Sequence, residues 1–307
     1  MAKLRDLIQA AEEEAEEIRA EQLEHGGLED RHFEPTDPFL FPKAPSGVGR
    51  TERIRKEMRK QALEDHYFFC VVVLGYTKLR PEPHGELCRF IDFIESERDK
   101  GNYEGLNRTI IYMPRDHYKT TIATIGRAIR RGCKDPNTRG LILSDTGLNA
   151  KRFGLEIGNH FKFNQMLQWL FPEVIPENFN TARWSANEMV LRRTAVWREP
   201  TFDIMGAGGG IESRHYDWII PDDLVTETHI ESEAEMDRLI KWIPSLEPLL
   251  VNDVISTIDF VGSRKKKGDA YEYVEKYFGA KDEPPVEIGP HCEKRGGIIV
   301  YTRSVRE

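Results

Sequence analysis

Residues 108–144 carry a pattern that few folds accommodate. A short β-branched apolar run (108–113) ends in a polar turn, a segment of helical character follows (119–131), and a second apolar run (140–144) closes the unit. Two strands of like direction joined by a helix make a βαβ unit, which demands a parallel sheet covered on both faces. The remainder of the chain repeats the theme, with a helix at 148–163 and candidate strands at 188–192, 202–205, 217–220 and 254–261. Upstream, 53–74 reads as a basic helix turning apolar, and the Pro81-Glu82-Pro83 break opens another helix that runs to about residue 98. Strands alternating with helices over this length predict an α/β sandwich with a mainly parallel central sheet. No internal repeat is visible.

The turn joining the first strand to its helix reads Met113-Pro114-Arg115-Asp116-His117-Tyr118-Lys119-Thr120-Thr121. A polar loop between a strand's end and a helix N-terminus aims backbone N–H groups at an anion. A nucleotide-binding P-loop adds a lysine that reaches the β and γ phosphates and a hydroxyl for Mg2+, and Lys119 and Thr120 take those two places. Measured against G-x-x-x-x-G-K-[ST], both glycines are missing: Met113 stands at the first and Tyr118 at the second. The motif therefore needs support from elsewhere in the chain.

That support is the run Asp217-Trp218-Ile219-Ile220-Pro221-Asp222-Asp223. An ATP site needs a carboxylate at the tip of a neighbouring strand to organise the metal. Asp222 falls there, and Asp223 falls where a water-activating carboxylate follows. Two adjacent acids behind a buried strand cost free energy unless a cation neutralises them. At the end of the 254–261 run, Gly262-Ser263-Arg264 sets Ser263 where it could contact the γ phosphate or its water.

Charge bounds the partners. Residues 1–24 hold eight acids against three bases and so account for five of the chain's eight net negative charges. In the near-neutral remainder the bases cluster at Arg50, Arg53, Arg55, Lys56, Arg59 and Lys60, and again from Arg264 to Lys267, so an acidic total does not exclude a polyanionic partner. An apolar run of about 18 residues, the mark of a membrane span, is absent, and the acidic N-terminal segment does not resemble a signal peptide. Four cysteines (Cys70, Cys88, Cys133, Cys292) with no C-x-x-C pair argue against a zinc ribbon or a disulfide framework and suit a reducing compartment. The spacing of Leu4, Leu7, Ile8, Ala11, Ala15 and Ile18 predicts one amphipathic helix over 3–24, and 26–49 reads as a linker or arm. The expected plan is thus an acidic helix and arm (1–50), a nucleotide-binding domain (51–280), and the start of a linker (281–307), where Pro284-Pro285 and Gly296-Gly297 stand.

Four tracts together resemble a known family. They are the P-R-D-H-Y-K-T-T loop with its early arginine, the S-D-T-G-L-N-A-K-R-F tract from Ser144 to Phe153, the G-G-G-I-E-S-R-H-Y-D-W-I-I-P-D-D run ending at Asp223, and the V-G-S-R tract followed by Asp269. The chain is similar over roughly residues 80–278 to the large subunit of viral terminase, the ATP-driven motor that packages double-stranded DNA into procapsids. The resemblance implies a P-loop NTPase fold of ASCE (RecA-like) type, a three-layer sandwich with an N-terminal helical extension. It implies ATP as substrate, Mg2+ as cofactor, and hydrolysis coupled to translocation of double-stranded DNA without regard to sequence. By position it places Arg115, Lys119 and Thr120 at the phosphates and metal, with Asp116, His117, Tyr118 and Thr121 completing the loop. Asp222 falls on Mg2+, Asp223 becomes the catalytic carboxylate, and Ser263 the coupling residue. Family members often carry glutamate at the catalytic position, which leaves Glu227 as a second candidate for orienting the water. His84, in the Pro-His-Gly-Glu-Leu-Cys segment, resembles the family's adenine-side region.

The implied partners are DNA held through its phosphates, for which Arg264 to Lys267 is the preferred patch, together with the portal protein and the small terminase subunit. The family also implies a homo-oligomeric ring, a pentamer by resemblance, with a monomer in isolation as the alternative. A neighbour's arginine could complete the transition-state cage, and Arg127, Arg139 and Arg152 are the candidates. The implied location is the cytoplasm of an infected host cell, docked transiently on the procapsid, with no membrane. Family members usually continue into an RNase H-like nuclease, whereas this chain stops at Glu307, so the expectation is a packaging ATPase without nuclease activity. Two rival readings stand beside it: another P-loop DNA translocase of helicase type, and a nucleotide-binding structural adaptor that hydrolyses nothing.

Overall fold

The computed structural model describes residues 51–208, 214–279 and 284–304. The helix and arm expected over 1–50 lie outside the described residues. Within them the chain is α/β. One sheet of nine strands has the order β3-β4-β2-β5-β6-β1-β9-β8-β7. The strands are β1 (Arg108–Tyr112), β2 (Gly140–Ser144), β3 (Glu188–Met189), β4 (Phe202–Gly206), β5 (Trp218–Pro221), β6 (Thr257–Gly262), β7 (Val286–Gly289), β8 (Cys292–Arg295) and β9 (Ile298–Thr302). The central run from β4 to β9 is parallel throughout, and antiparallel pairs flank it on both sides.

Alternation along the central strands explains why both faces are covered. Ile111, Ile142, Ile220, Val261 and Ile299 turn to one face, beneath the helices Thr51–Glu64, His84–Asp99, Arg127–Lys134 and Gly147–Phe163. Their neighbours Ile110, Leu141, Ile219, Ile258, Phe260 and Val300 turn to the other, against the helices Glu233–Trp242 and Ala270–Phe278. Successive strand residues point to opposite faces, so a strand buried on both sides reads as an unbroken apolar run. β1, β2, β5 and β6 are buried along their whole length, and helices lie on both faces, an arrangement compatible with a three-layer sandwich.

Several segments differ from the sequence expectation. The helix expected over 53–74 breaks at Asp65, whose Oδ1 accepts the Phe68 N–H at 2.9 Å and caps a new turn. The helix expected over 119–131 opens as a wide π turn, Thr120–Gly126, before it tightens into Arg127–Lys134. Gly126 lies so near the helical segment behind it that a Cβ there would meet Cys70 Sγ at 2.8 Å. The strand expected from 254 starts only at Thr257, because the Asn252 side chain accepts the N–H groups of Val254 and Ile255 and holds them in a turn. The strand expected at 188–192 is reduced to Glu188–Met189. The largest difference is at the C-terminal end. Where the prolines and paired glycines suggested a linker, β7, β8 and β9 form a meander, and β9 pairs in parallel with β1.

An unforeseen buried charge cluster locks the first strand and its helix to β6. Asp259, fully buried in β6, accepts from Thr109 Oγ1 at 2.6 Å, Arg98 Nη2 at 2.8 Å and Arg131 Nη2 at 2.9 Å, with Arg127 Nη2 at 3.3 Å. Glu95 holds the same arginines from the other side. Burial opposes both charges, but the arginines Arg127, Arg98 and Arg131 around Asp259 hold its carboxyl well below the usual carboxylate range. Arg127 is 1% exposed within this cluster, so it is not presented to a neighbouring subunit. Among the described residues no helix is long and apolar enough to cross a membrane.

Candidate functional site

The C-terminal ends of β1, β2, β5 and β6 open on the same edge of the sheet, where parallel α/β sheets place their ligand crevices. The turn after β1 takes left-handed backbone at two positions that are not glycine. Asp116 has φ 64° and Tyr118 has φ 52°, both in the left-handed region. Tyr118 stands at the position of the missing second glycine, and its ring meets the His84 ring edge-on, with centroids 5.3 Å apart. His84 opens the helix His84–Asp99, is 5% exposed, and accepts the Arg80 N–H on Nδ1 at 2.8 Å. Burial first, then the nearby His117, Arg80 and Arg303, lowers its pKa to about 4, so it is neutral at physiological pH. The structure thus places His84 against the loop as a covered support beneath Tyr118.

Lys119 directly precedes the π turn, and its ammonium is turned inward. Its side chain is 7% exposed, and Nζ lies 2.8 Å from Asp223 Oδ2. Thr120 follows on the cleft wall, with Thr121 half-buried beside it. Asp222 and Asp223 cap β5. The Asp222 N–H donates to the Leu143 carbonyl and the Asp223 N–H to the Val261 carbonyl, so the two acids are clamped between β2 and β6. Asp223 has φ 45°, and this turn separates the two side chains: Asp222 is fully buried while Asp223 faces the cleft.

Asp222 carries the most informative electrostatics. Thr124 Oγ1 donates to its Oδ2 at 2.8 Å, whereas its Oδ1, also buried, has no hydrogen-bond partner. Burial and the adjacent Asp223 charge push the Asp222 carboxyl up to about 7, against the lowering effect of Lys119, Thr124 and Thr120. A buried carboxylate with one free oxygen and hydroxyls beside it suits a hard divalent cation. Among the described residues no group of three or more His, Cys, Asp or Glu could hold a metal.

The other predicted residues fall around the same edge. Ser263 Oγ donates to the Met113 carbonyl at 2.7 Å, tying the end of β6 to the start of the loop. Arg115 Nη2 lies 3.2 Å from Glu227 Oε1, and His117 Nδ1 is 2.7 Å from the Arg115 carbonyl. Between them opens a cleft of about 280 Å3, lined by Arg115, Thr120, Asp145, Arg152, Asp223 and Lys265 among others. A second cleft of about 300 Å3 borders the other side of the loop, between Pro83, Pro114, His117 and Arg303.

Sequence reasoning missed Thr124, Asp145, Asn149 and Lys265 as site residues. Thr124 lies one helical turn beyond Thr120 and therefore shares its face. Asn149, Arg152 and Phe153 recur at helical spacing on Gly147–Phe163, so they meet the cleft together. Of the arginines considered for action on a neighbour, Arg139 is paired with Asp217 at 2.8 Å before β2 and β5, at the opposite edge of the sheet, whereas Arg152 lines the cleft of its own subunit. The tract proposed for DNA is largely engaged internally. Arg264 pairs with Asp269, Glu272 and Glu275, Lys265 with Glu227, and Lys266 donates to the Ile230 carbonyl. Most of the basic group at 53–60 is likewise paired, as in Arg53 with Glu57 and Arg55 with Glu52.

No family model matches the chain, and a search of the curated proteins returns no significant match.

Proposed function

We propose that the protein is a Mg2+-dependent ATPase, the motor of a terminase large subunit that drives double-stranded DNA into a procapsid. The observation that carries the reading is the meeting of Lys119 with the Asp222-Asp223 pair across the sheet edge, with Asp222 Oδ1 buried and unpartnered. Lys119 and Asp223 lie 104 positions apart in the chain, so the fold brings the two together from separate strand ends.

On this reading the loop after β1 receives the triphosphate. Its N–H groups and the start of the helical run from Thr120 supply positive potential, and Lys119 and Arg115 oppose the charge that develops on the transferring phosphoryl group. Asp222 and the Thr120 hydroxyl would hold Mg2+, which would supply neutralisation of triphosphate charge. Asp223, released from Lys119 when phosphate takes its place, orients the attacking water from the cleft wall. Ser263, bonded to the loop's first carbonyl, is placed to feel any movement of the loop and pass it to β6. The nucleoside end would extend toward the second cleft, beside His117 and Pro83. The fold reading is that of a P-loop NTPase of ASCE type, and β6 standing between β1 and β5 supports it by setting Ser263 between the lysine and the acids.

The test is Mg2+-dependent phosphate release by the full chain, alone and with double-stranded DNA. Lys119→Ala and Asp222→Ala should abolish release and leave the circular dichroism spectrum unchanged. Equal turnover by wild type and both variants would contradict the proposal.

A further inference from the structure

Lys265 does not belong with its basic neighbours. Arg264 is turned toward the helix Ala270–Phe278 and its cap, and its guanidinium lies over the Tyr112 ring at 5.6 Å. Lys267 is exposed. Lys265 instead lines the cleft with Arg115, Thr120 and Asp223, and its side chain is only 12% exposed. Its Nζ lies 3.2 Å from Glu227 Oε1, the same oxygen that Arg115 Nη2 approaches at 3.2 Å. One carboxylate oxygen therefore holds two cations, one from the loop after β1 and one from the loop after β6.

The backbone on either side of Lys265 is fixed. Its own N–H donates to Asp269 Oδ2 at 3.1 Å, and Ser263 is bonded to the Met113 carbonyl at 2.7 Å. The ammonium is thus delivered to one place beside the phosphate loop. Its partner there is a weak one: Glu227 is 62% exposed and sits on the short helix Glu227–Glu231, where solvent screens the pair. A terminal phosphate offers three charged oxygens in place of one shared carboxylate oxygen, so the two cations need no longer share an acceptor and each keeps a charge-assisted bond.

Resting on the nucleotide reading above, we infer that Lys265 is a ligand of the terminal phosphate of a nucleoside triphosphate, and that Glu227 is the counter-ion this phosphate displaces from Lys265 and Arg115. The residue then discriminates triphosphate from diphosphate, because the oxygens it takes exist only before hydrolysis. Its place two residues after Ser263 puts the sensing ammonium in the loop after β6, close to the hydroxyl that is already bonded to the loop after β1.

The experiment measures affinities of the full chain for a non-hydrolysable ATP analogue and for ADP, each with Mg2+, in wild type, Lys265→Ala, Lys265→Arg and Lys119→Ala. Lys265→Ala should weaken the triphosphate analogue by about tenfold and ADP by less than about twofold, and Lys265→Arg should restore most of the loss. Equal effects on both nucleotides, or none on either while Lys119→Ala still destroys binding, overturn this inference and leave the ATPase reading intact. If wild type binds neither nucleotide, both fall together. If Lys265→Ala instead weakens DNA binding and its salt dependence with nucleotide affinities unchanged, the residue is a DNA contact and the inference is wrong.

Discussion

The ammonium of Lys119 and the carboxylate of Asp223 face each other at 2.8 Å across the open edge of the sheet. The lysine is nearly covered while the acid is 41% exposed, so the pair is asymmetric; on the proposed ATPase reading, a phosphate entering from the cleft takes the lysine and leaves the acid in water. Removing the lysine should therefore cost much catalysis and little stability. Lys119→Ala is expected to lower kcat/KM by at least about a hundredfold, and to change unfolding free energy by about 1 kcal/mol, since the exposed acid can rehydrate. Urea denaturation alongside phosphate-release kinetics reads both.

On the proposed ATPase reading Asp223 and Glu227 are the two candidates for the water-orienting carboxylate, and the geometry favours Asp223. Asp223 lines the cleft beside Thr120, whereas Glu227 stands outside its lining and reaches it only through Arg115 and Lys265. Asp223→Asn should reduce kcat by at least about a hundredfold, and Glu227→Gln by less than about tenfold. The reverse order of effects in steady-state kinetics would transfer the role to Glu227.

The pH dependence follows from Asp222. Its carboxyl is raised to about 7 in the folded protein, above its unfolded value, so the folded state binds the extra proton. Its contribution to stability is then fully present below the unfolded pKa and is lost as pH rises through the folded one. Without ligand, the melting temperature should fall between about pH 4 and 7 by an Asp222-dependent amount, and Asp222→Asn should raise it at pH 8 by at least about 3 °C. A cation must displace that proton, so Mg2+-nucleotide affinity should rise from pH 6 to pH 8 in wild type. Calorimetry at the two pH values, in buffers of different ionisation enthalpy, should show the proton released.

Tyr118 tests how a loop can take the left-handed conformation without glycine. A non-glycine residue there costs roughly 1–2 kcal/mol, and the edge-on contact with His84 returns about 0.5–1.5 kcal/mol. Tyr118→Ala keeps the cost and loses the contact, so it should destabilise the protein by about 1 kcal/mol. Tyr118→Gly loses both and should lie within about 0.5 kcal/mol of wild type. Denaturation midpoints for the two variants decide it.

Asp259 is where the fold itself is most vulnerable. Its removal strands Arg98, Arg127 and Arg131 around Glu95 alone in a dry site. Asp259→Ala should cost about 3–5 kcal/mol, the range for one missing partner in a buried cluster. A loss below about 1 kcal/mol in chemical denaturation would show that the cluster rearranges freely.

The sheet's centre was legible because β1, β2 and β5 are buried on both faces, and burial on both faces writes itself as an apolar run followed by a polar turn. Asp222 and Asp223 stood out for the same reason, directly after such a run, and Lys119 and Thr120 because they close the polar turn that follows one. The meander at the end was not, because β7 and β8 carry exposed or half-exposed residues and the flanking prolines and glycines mimic a linker. Nor could the sequence show how Tyr118 replaces a glycine, since the support comes from His84, 34 positions away in the chain. Lys265 was hidden inside a charge run, where composition gives four adjacent residues one meaning and the turn after β6 sends them to separate partners.

The most direct test of the central claim is calorimetric titration of the full chain with a non-hydrolysable ATP analogue, with and without Mg2+, against wild type, Lys119→Ala and Asp222→Ala. The account predicts Mg2+-dependent binding to wild type, at least about a hundredfold weaker binding to Lys119→Ala, and loss of the Mg2+ dependence in Asp222→Ala. Binding of equal strength to all three proteins, or none to wild type, would contradict it.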